Sequence, residues 1–344
     1  MSTQAELSLD PSDGLDAGFR VFAEAALSCW SLPAGTRLSL LSVSENGTYR
    51  VDAPGMDGPL VLRVHRTGYH SRDGVRTELA WMQALQDQAG VSTPQAVAGR
   101  DGAYIQEVAH PSGDDSRFVD LFHFIPGEAP DERELQGPFR RLGEVAGRMH
   151  HHARAWRRPE YFSRLVWDFD GCIGRRPNWG DWREGPGLDA EGRAVLEATA
   201  SEIGRRLTRY GRSPRRYGLI HSDLRLANLL IHGDDTRVID FDDCGLGWFM
   251  YDVASSVSFI ETRDDLEALV TAWLAGYRRT ASLEPEDLAE IPTFIMLRRM
   301  TLLAWLGTHA HTDMAIEQGD AFGRDTVALA RRFMNGTLLP GYTR

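Results

Sequence analysis

Lysine is absent from all 344 residues, so the 38 positions that could be lysine or arginine are all arginine. A Schiff-base or pyridoxal mechanism needs a lysine amine, and a Walker-type phosphate loop needs a lysine after its glycines, so both are excluded. Any cationic side chain that grips phosphate here must be a guanidinium, always charged and able to hold two oxygens at once. Cysteine is scarce: Cys29, Cys172 and Cys244 lie far apart, none at the spacing of a zinc site, and read as reduced structural thiols. Long apolar runs are missing too. Stretches such as LIHSDLRLANLLI and FIMLRRMTLLAWLG are broken by charge well before the roughly 20 residues a membrane span requires. The opening MSTQAELSLDPSDG has no basic segment followed by an apolar one, so no secretory leader is expected. These absences predict a soluble, cytoplasmic protein with no membrane partner. The net charge of -11 comes from acids spread along the chain with no basic block, which argues against nucleic acid as a partner and tolerates magnesium.

What is present is ordinary globular composition, 42% hydrophobic and 25% charged, in a chain long enough for two domains or one two-lobed unit. Residues 15–32 carry apolar positions at helical spacing and predict a lead-in helix. Between Thr36 and Val64 the pattern turns to strands (RLSLLSVS, YRVDA, LVLRVH) divided by Glu45-Asn46-Gly47 and by a Pro- and Gly-rich turn. A helix over about 73–90 and two further strands, AYIQEV and RFVDLFHFI, complete a small lobe that ends near Ile125-Pro126-Gly127. The domains expected are therefore 1–125, a nucleotide-binding lobe with its lead-in helix, and 126–344, a mainly helical lobe. The second lobe shows a strong amphipathic helix in LQGPFRRLGEVAGRMHHHARAW, another over 189–210, and further helices near 264–280, 285–310 and 320–335. The stretch 163–187, rich in Trp, Gly and Pro, reads as an ordered insertion. No internal repeat is found.

The most informative stretch is His221-Ser222-Asp223-Leu224-Arg225-Leu226-Ala227-Asn228, followed after a short turn by Val238-Ile239-Asp240-Phe241-Asp242-Asp243. Phosphoryl transfer to a hydroxyl needs a carboxylate to orient or accept the nucleophile's proton and oxygen ligands for the metal that bridges the phosphates. An H-x-D, four residues, an N and then a hydrophobic-Asp-aromatic step supply both. Strand-like runs at Leu229-Leu230-Ile231 and Val238-Ile239, with a turn at Gly233-Asp234-Asp235, would bring the two metal-binding candidates side by side.

HSDLRLANLL followed by VIDFDDCGLGWFMYDVA resembles the aminoglycoside-phosphotransferase and choline-kinase superfamily, over about 36–344. The resemblance implies an α+β, two-lobed protein-kinase-like fold, with a five-stranded antiparallel sheet and one helix hinged to a larger helical lobe and Mg-ATP in the cleft. It makes Asp223 the catalytic base, Asn228 and Asp240 the magnesium ligands, His221 a support of the loop and Asp252 a buried brace. This fold requires a cation on its third strand and a helix carboxylate to hold it, and Arg63 and Glu78 stand at those positions. Ser44-Glu45-Asn46-Gly47-Thr48 resembles the phosphate-covering turn, with contacts from Asn46, Gly47 and Thr48; as a sequence it also reads simply as a hairpin turn. Leu121 and His123 fall where the adenine would meet the backbone.

Other features are weaker. Asp242 is read as a substrate or metal contact, or as a solvated neighbour. His150-His151-His152 cannot converge on one ion, since consecutive helical side chains point about 100° apart, and favourable interaction with a helix C-terminus explains them. Asp168 and Trp179 in the insertion, and Trp305, His309 and Asp313 four apart on one helix face, suit an acceptor pocket or plain packing. The expectation is a Mg2+-dependent enzyme that moves the γ-phosphoryl group of ATP or GTP to a small-molecule hydroxyl, an antibiotic such as an aminoglycoside first. Alternatives are a bacterial stress-response Ser/Thr kinase, a homoserine- or choline-type metabolite kinase, and a silent ATP-binding regulator.

Overall fold

Alternating burial in a run such as Gly47–Asp52, where Tyr49 and Val51 are buried and Thr48 and Arg50 are not, is what a sheet packed on one face demands. The computed structural model describes residues 11–43, 45–113, 115–131, 133–233 and 235–342. The chain divides into two compact units, residues through Leu79 with Pro94–Ile125, and Ala80–Thr93 with Pro126–Arg344. The architecture is α+β, with an antiparallel sheet in the N-terminal region and helices dominating the rest.

In the first unit, α1 (Pro11–Ala26) is followed by β1 (Arg37–Val43), β2 (Gly47–Asp52), β3 (Leu60–Val64), α2 (Arg72–Ala89, whose second half belongs to the other unit), β4 (Ile105–Ala109) and β5 (Ser116–His123). The five strands order β1-β2-β3-β5-β4, all neighbours antiparallel. Phe22, Ala23, Ala26 and Trp30 from the lead-in segment cover Tyr49, Val51, Leu62, Val64, Val119 and Leu121. Burying each large side chain contributes about 1.5–3 kcal/mol. Register places Arg63 opposite Thr48 on one side and Asp120 on the other. Gly47 is needed because a Cβ there would come within 2.5 Å of Phe19.

The second unit runs α3 (Gln136–Ala155), β6 (Leu165–Trp167), α4 (Phe169–Cys172), α5 (Ala190–Tyr210), β7 (Tyr217–Ile220), β8 (Leu229–His232), β9 (Asp235–Val238), β10 (Gly245–Trp248), α6 (Tyr251–Ser256), α7 (Leu266–Tyr277), α8 (Pro285–Ala289), α9 (Ile291–Thr308) and α10 (Asp313–Met334). β8 and β9 form the expected hairpin, Leu229 opposite Val238; Asp234 in its turn lies outside the described residues. The three-stranded sheet β6-β10-β7 was not expected, because its strands are only three or four residues long and two of the four residues in β10 are glycine. Helices α3 and α7 meet on a glycine seam: a Cβ on Gly143 would lie 1.8 Å from the Trp273 carbonyl oxygen, and one on Gly276 1.8 Å from that of Arg140.

Two helix boundaries differ from expectation. The helix predicted over 285–310 breaks at Glu290, because Pro292 sits in the first turn of α9 and has no N–H to continue α8. The terminal helix starts earlier, at Asp313, and kinks at Gly319, whose φ of 47° is not helical. Among the described residues no helix is long and apolar enough to cross a membrane.

Candidate active site

The chain leaves β7 at Ile220 and enters a loop that only a brace can hold, since Ser222 takes a φ of 68°, a left-handed value costly for a residue with a Cβ. Asp252, at the start of α6 and fully buried, supplies the brace. Its Oδ2 accepts the His221 N–H (3.1 Å) and its Oδ1 accepts the Ser222 N–H (2.8 Å). Ser255 Oγ takes the Leu224 N–H at 2.9 Å. The His221 ring donates through Nε2 to the Ile239 carbonyl at 3.1 Å, tying this loop to the segment that carries Asp240. Burial, more than its charged neighbours, holds the His221 imidazole below its ordinary range, and it is neutral.

Behind Asp252 stands His150 of α3, fully buried. Its Nε2 donates to Asp252 Oδ2 at 2.9 Å and its Nδ1 accepts from Tyr277 Oη at 3.0 Å. This corrects the helix-end reading of the His150-His151-His152 run. His150 sits before the last turn of α3 and is a bridge between two helices and the loop brace, and burial lowers its pKa.

Asp223 is gripped on both carboxylate oxygens. Oδ2 accepts from Arg225 Nε (3.1 Å) and Asn228 Nδ2 (2.8 Å), while Oδ1 accepts from Arg298, a residue of α9 that is 1% exposed. Burial alone would raise this carboxyl, but Arg225 and Arg298 outweigh it and hold Asp223 at about 2. Arg298 also donates to Ser258 Oγ (3.0 Å) and to the Ser222 carbonyl (3.3 Å), and its guanidinium lies 5.0 Å from the Trp179 ring centre.

Asp240 follows β9 with a φ of 62°. The Ile239 N–H donates to the Asn228 carbonyl at 3.0 Å, so the two metal candidates are linked through the backbone. With both Asn228 Nδ2 bonds spent on Asp223, Oδ1 is the atom left for a ligand. An amide oxygen and a carboxylate are the hard donors Mg2+ takes when phosphates and water complete its shell. No group of three or more His, Cys, Asp or Glu that could hold a metal by itself exists among the described residues. Asp242 is buried, and its backbone carbonyl accepts from Arg164, which also donates to the Cys244 carbonyl at 2.5 Å.

In the first unit Arg63 pairs with Glu78 at 2.8 Å, but two more of its donor bonds go to Asp120, at 3.1 and 2.7 Å, and His65 adds a contact to Asp120 at 3.1 Å. Burial pushes Asp120 up, yet Arg63 and His65 hold it below its ordinary range. Asn46 Oδ1 accepts the Arg66 N–H at 2.9 Å, and Thr48 is the cross-strand partner of Arg63; Ser44 lies outside the described residues. At the two adenine candidates, the Leu121 carbonyl accepts from the Val97 N–H (2.7 Å) and the His123 N–H donates to the Gln95 carbonyl (2.9 Å).

In the insertion, Asp168 Oδ1 caps α4 by accepting the Gly171 N–H (2.9 Å) and its Oδ2 pairs with Arg212 (3.0 Å). Trp179 is held by Thr308 Oγ1 donating to its carbonyl at 3.0 Å, which joins the insertion to the end of α9. There Trp305 stacks on His309 with ring centres 4.7 Å apart. Asp313 is not on their helix face, because α9 ends at Thr308 and Asp313 opens α10.

Sequence reasoning missed roles for Arg225, Arg298, Asp120, His150 and Tyr277. For Arg298 a signal was there, since an Arg-Arg pair inside an otherwise apolar helix must find buried anions.

The sequence profile of the phosphotransferase enzyme family matches residues 38–288. An amicoumacin kinase of Bacillus subtilis is 25% identical over 260 residues, 72% of this chain and 74% of that protein. The solved structure of a microcompartment-associated aminopropanol kinase is 38% identical with a TM-score of 0.84, covering 92% of this chain and 98% of that one. An amicoumacin kinase solved with AMP-PNP, Ca2+ and its ligand shares the fold at a TM-score of 0.75 and 20% identity, over 96% of this chain and 98% of that one. With the braced H-x-D loop, the oxygen pair on Asn228 and Asp240 and a profile match across most of its length, the chain belongs to the phosphotransferase enzyme family.

Proposed function

We propose that the chain transfers the γ-phosphoryl group of ATP to a hydroxyl of a small amino alcohol, with Mg2+ as the metal. Phosphotransfer to a small molecule is the coarser statement, and the family and its named kinases support it. The observation that carries the reading is Asp223, a buried carboxylate fixed by two guanidinium groups beside Asn228. Held at about 2, Asp223 is ionised at any working pH. It therefore orients the acceptor O–H by accepting its hydrogen bond and receives the proton as the phosphoryl group arrives. Mg2+, held by Asn228 and Asp240, would offset charge on the phosphates. Arg63, paired with Glu78, is the first unit's candidate phosphate contact.

The amino-alcohol class is supported by the 38% identity to the aminopropanol kinase, against 25% and 20% to the two amicoumacin kinases. Trp179 and the stacked pair Trp305 and His309 are the candidate acceptor contacts, since aromatic rings suit an organic cation. The antibiotic reading stands second, on the amicoumacin likeness. Retention of Asp223, Asn228 and Asp240 speaks against a silent regulator, and no observation favours a protein acceptor. AMP-PNP in a fold relative supports ATP over GTP as donor. The test is a coupled ADP-release assay with aminopropanol, ethanolamine, choline, homoserine, amicoumacin and aminoglycosides. Turnover confined to the antibiotics would overturn the amino-alcohol class, and no turnover on any of them would overturn the small-molecule reading.

A further inference from the structure

Two buried nitrogens near the end of α3 have no hydrogen-bond partner among the described residues, Nε of Arg148 and Nδ1 of His152. Folded proteins leave few such atoms, so each asks for a cause. Both side chains line one cavity of about 510 Å³, together with Gln88 of α2, His151 and Trp156 of the α3 segment and Thr280 beyond α7, all in the second unit. No acidic residue lines it among the described residues. Its volume falls within the roughly 300–1,000 Å³ of small-molecule sites. Arg148 is fixed by one bond, from its terminal nitrogen to the Gly90 carbonyl at 2.8 Å. His152 is 8% exposed, and its Nε2 meets Gln88 Oε1 at 3.1 Å, so Nε2 carries the ring proton and Nδ1 is bare. Burial first, and then the neighbouring His151, lowers the His152 pKa, and the ring is neutral. An anion beside Nδ1 would reverse that, because a protonated ring donates from both nitrogens. The helix end opposes an anion with only about half a negative charge, less than Arg148 and two protonated imidazoles supply.

We propose that this cavity is a second ligand site, which binds a small phosphate monoester with its phosphate on Arg148, His151 and His152 and its organic body beside Trp156. None of these residues belongs to the loop that carries Asp223, and the inference goes beyond the phosphotransfer reading. A dianionic phosphate matches several cationic donors better than a single carboxylate does, and a guanidinium fork can hold two of its oxygens. With no acid in the lining, a zwitterionic ester is disfavoured, since its ammonium would find no partner. Binding takes up protons: His152 and the exposed His151 charge as the anion arrives, so affinity rises as pH falls. The groups facing His152 are Gln88 from α2, Arg148, His151 and Trp156 from its own segment and Thr280 beyond α7, and none of them is an acid that would charge the ring without a ligand.

The test is calorimetric titration of the wild type, His151→Gln, His152→Gln and the double variant with glycerol 3-phosphate, and with sulfate, which stays a dianion while the imidazoles titrate. The wild type should bind glycerol 3-phosphate at one site, His152→Gln about tenfold more weakly and His151→Gln about threefold more weakly. Sulfate affinity of the wild type, at constant ionic strength, should rise about tenfold between about pH 8 and about pH 6. Its binding heat should differ between buffers of different ionisation enthalpy, which reports the proton uptake, and the double variant should show neither effect. Melting midpoints show that the variants are folded, and the exposed His151→Gln carries the comparison if His152→Gln is not. Equal affinity for glycerol 3-phosphate in all four proteins, sulfate binding without proton uptake, or a wild type that binds neither anion overturns the proposal. Nucleotide turnover plays no part in these readouts, so their failure leaves the phosphotransfer reading standing.

Discussion

Replacing Asp252 with Asn removes one charge and keeps the shape, and the structure says how the amide will lie. Oδ2 accepts two donors, from His221 and His150, and Oδ1 accepts one, from Ser222. The amide NH2 therefore settles at the Oδ1 position, where it faces the Ser222 N–H and breaks one bond rather than two. Loss of a buried hydrogen bond to a charged acceptor costs about 1.5–3 kcal/mol. That is a large part of a typical stability of about 5–15 kcal/mol. The orphaned amide belongs to the left-handed residue directly before Asp223, so the catalytic carboxylate should loosen with it. Turnover should fall about 10–10²-fold, the scale of an ångström-sized misplacement, with Mg-ATP affinity nearly unchanged. The checks are denaturant melts, hydrogen exchange at the Ser222 amide, and separate kcat and nucleotide-affinity measurements. Stability within about 0.5 kcal/mol of wild type, with Ser222 exchange as slow as before, would refute the brace.

Four further outcomes are expected. Asp223→Asn should leave Mg-ATP affinity close to native while transfer falls about 10²–10⁴-fold, whereas Asp240→Ala should weaken magnesium-dependent binding as well; calorimetry beside an acceptor assay reads the split. Arg63→Ala strands the buried carboxylates of Asp120 and Glu78 and should destabilise the protein by about 3–5 kcal/mol in melting experiments, with Arg63→Lys only a partial rescue because one ammonium cannot match the fork. Asp223 titrates at about 2 against an ordinary 3.8, so its contribution, on the order of 2 kcal/mol, is present above pH 4 and lost as pH falls toward 2; in EDTA the wild type's melting midpoint should drop there more steeply than that of Asp223→Asn. Trp179→Ala should raise the acceptor KM and leave nucleotide affinity alone, and an unchanged acceptor KM would make the insertion structural only.

The sheet, the β8–β9 hairpin and the order of the long helices were legible because their apolar periodicities are strong. The H-x-D loop was legible because its chemistry fixes residue type and spacing together. Hidden were partnerships between residues distant in the chain: Asp120 lies 57 positions from Arg63, Arg298 75 from Asp223, and His150 102 from Asp252. Nothing local marks such a pair before the fold brings it together. The Trp305–His309–Asp313 face misled for a different reason, since a spacing of four persists through a helix break.

At the glycine seam between α3 and α7 the two backbones approach too closely for a Cβ on either Gly143 or Gly276. His150 and Tyr277 ride on those two helices, so the gap their hydrogen bond must span is fixed by the same contact. A single methyl group at Gly143 or Gly276 would be transmitted through His150 to the Asp252 brace. Those two glycines are therefore the positions an engineer should leave untouched.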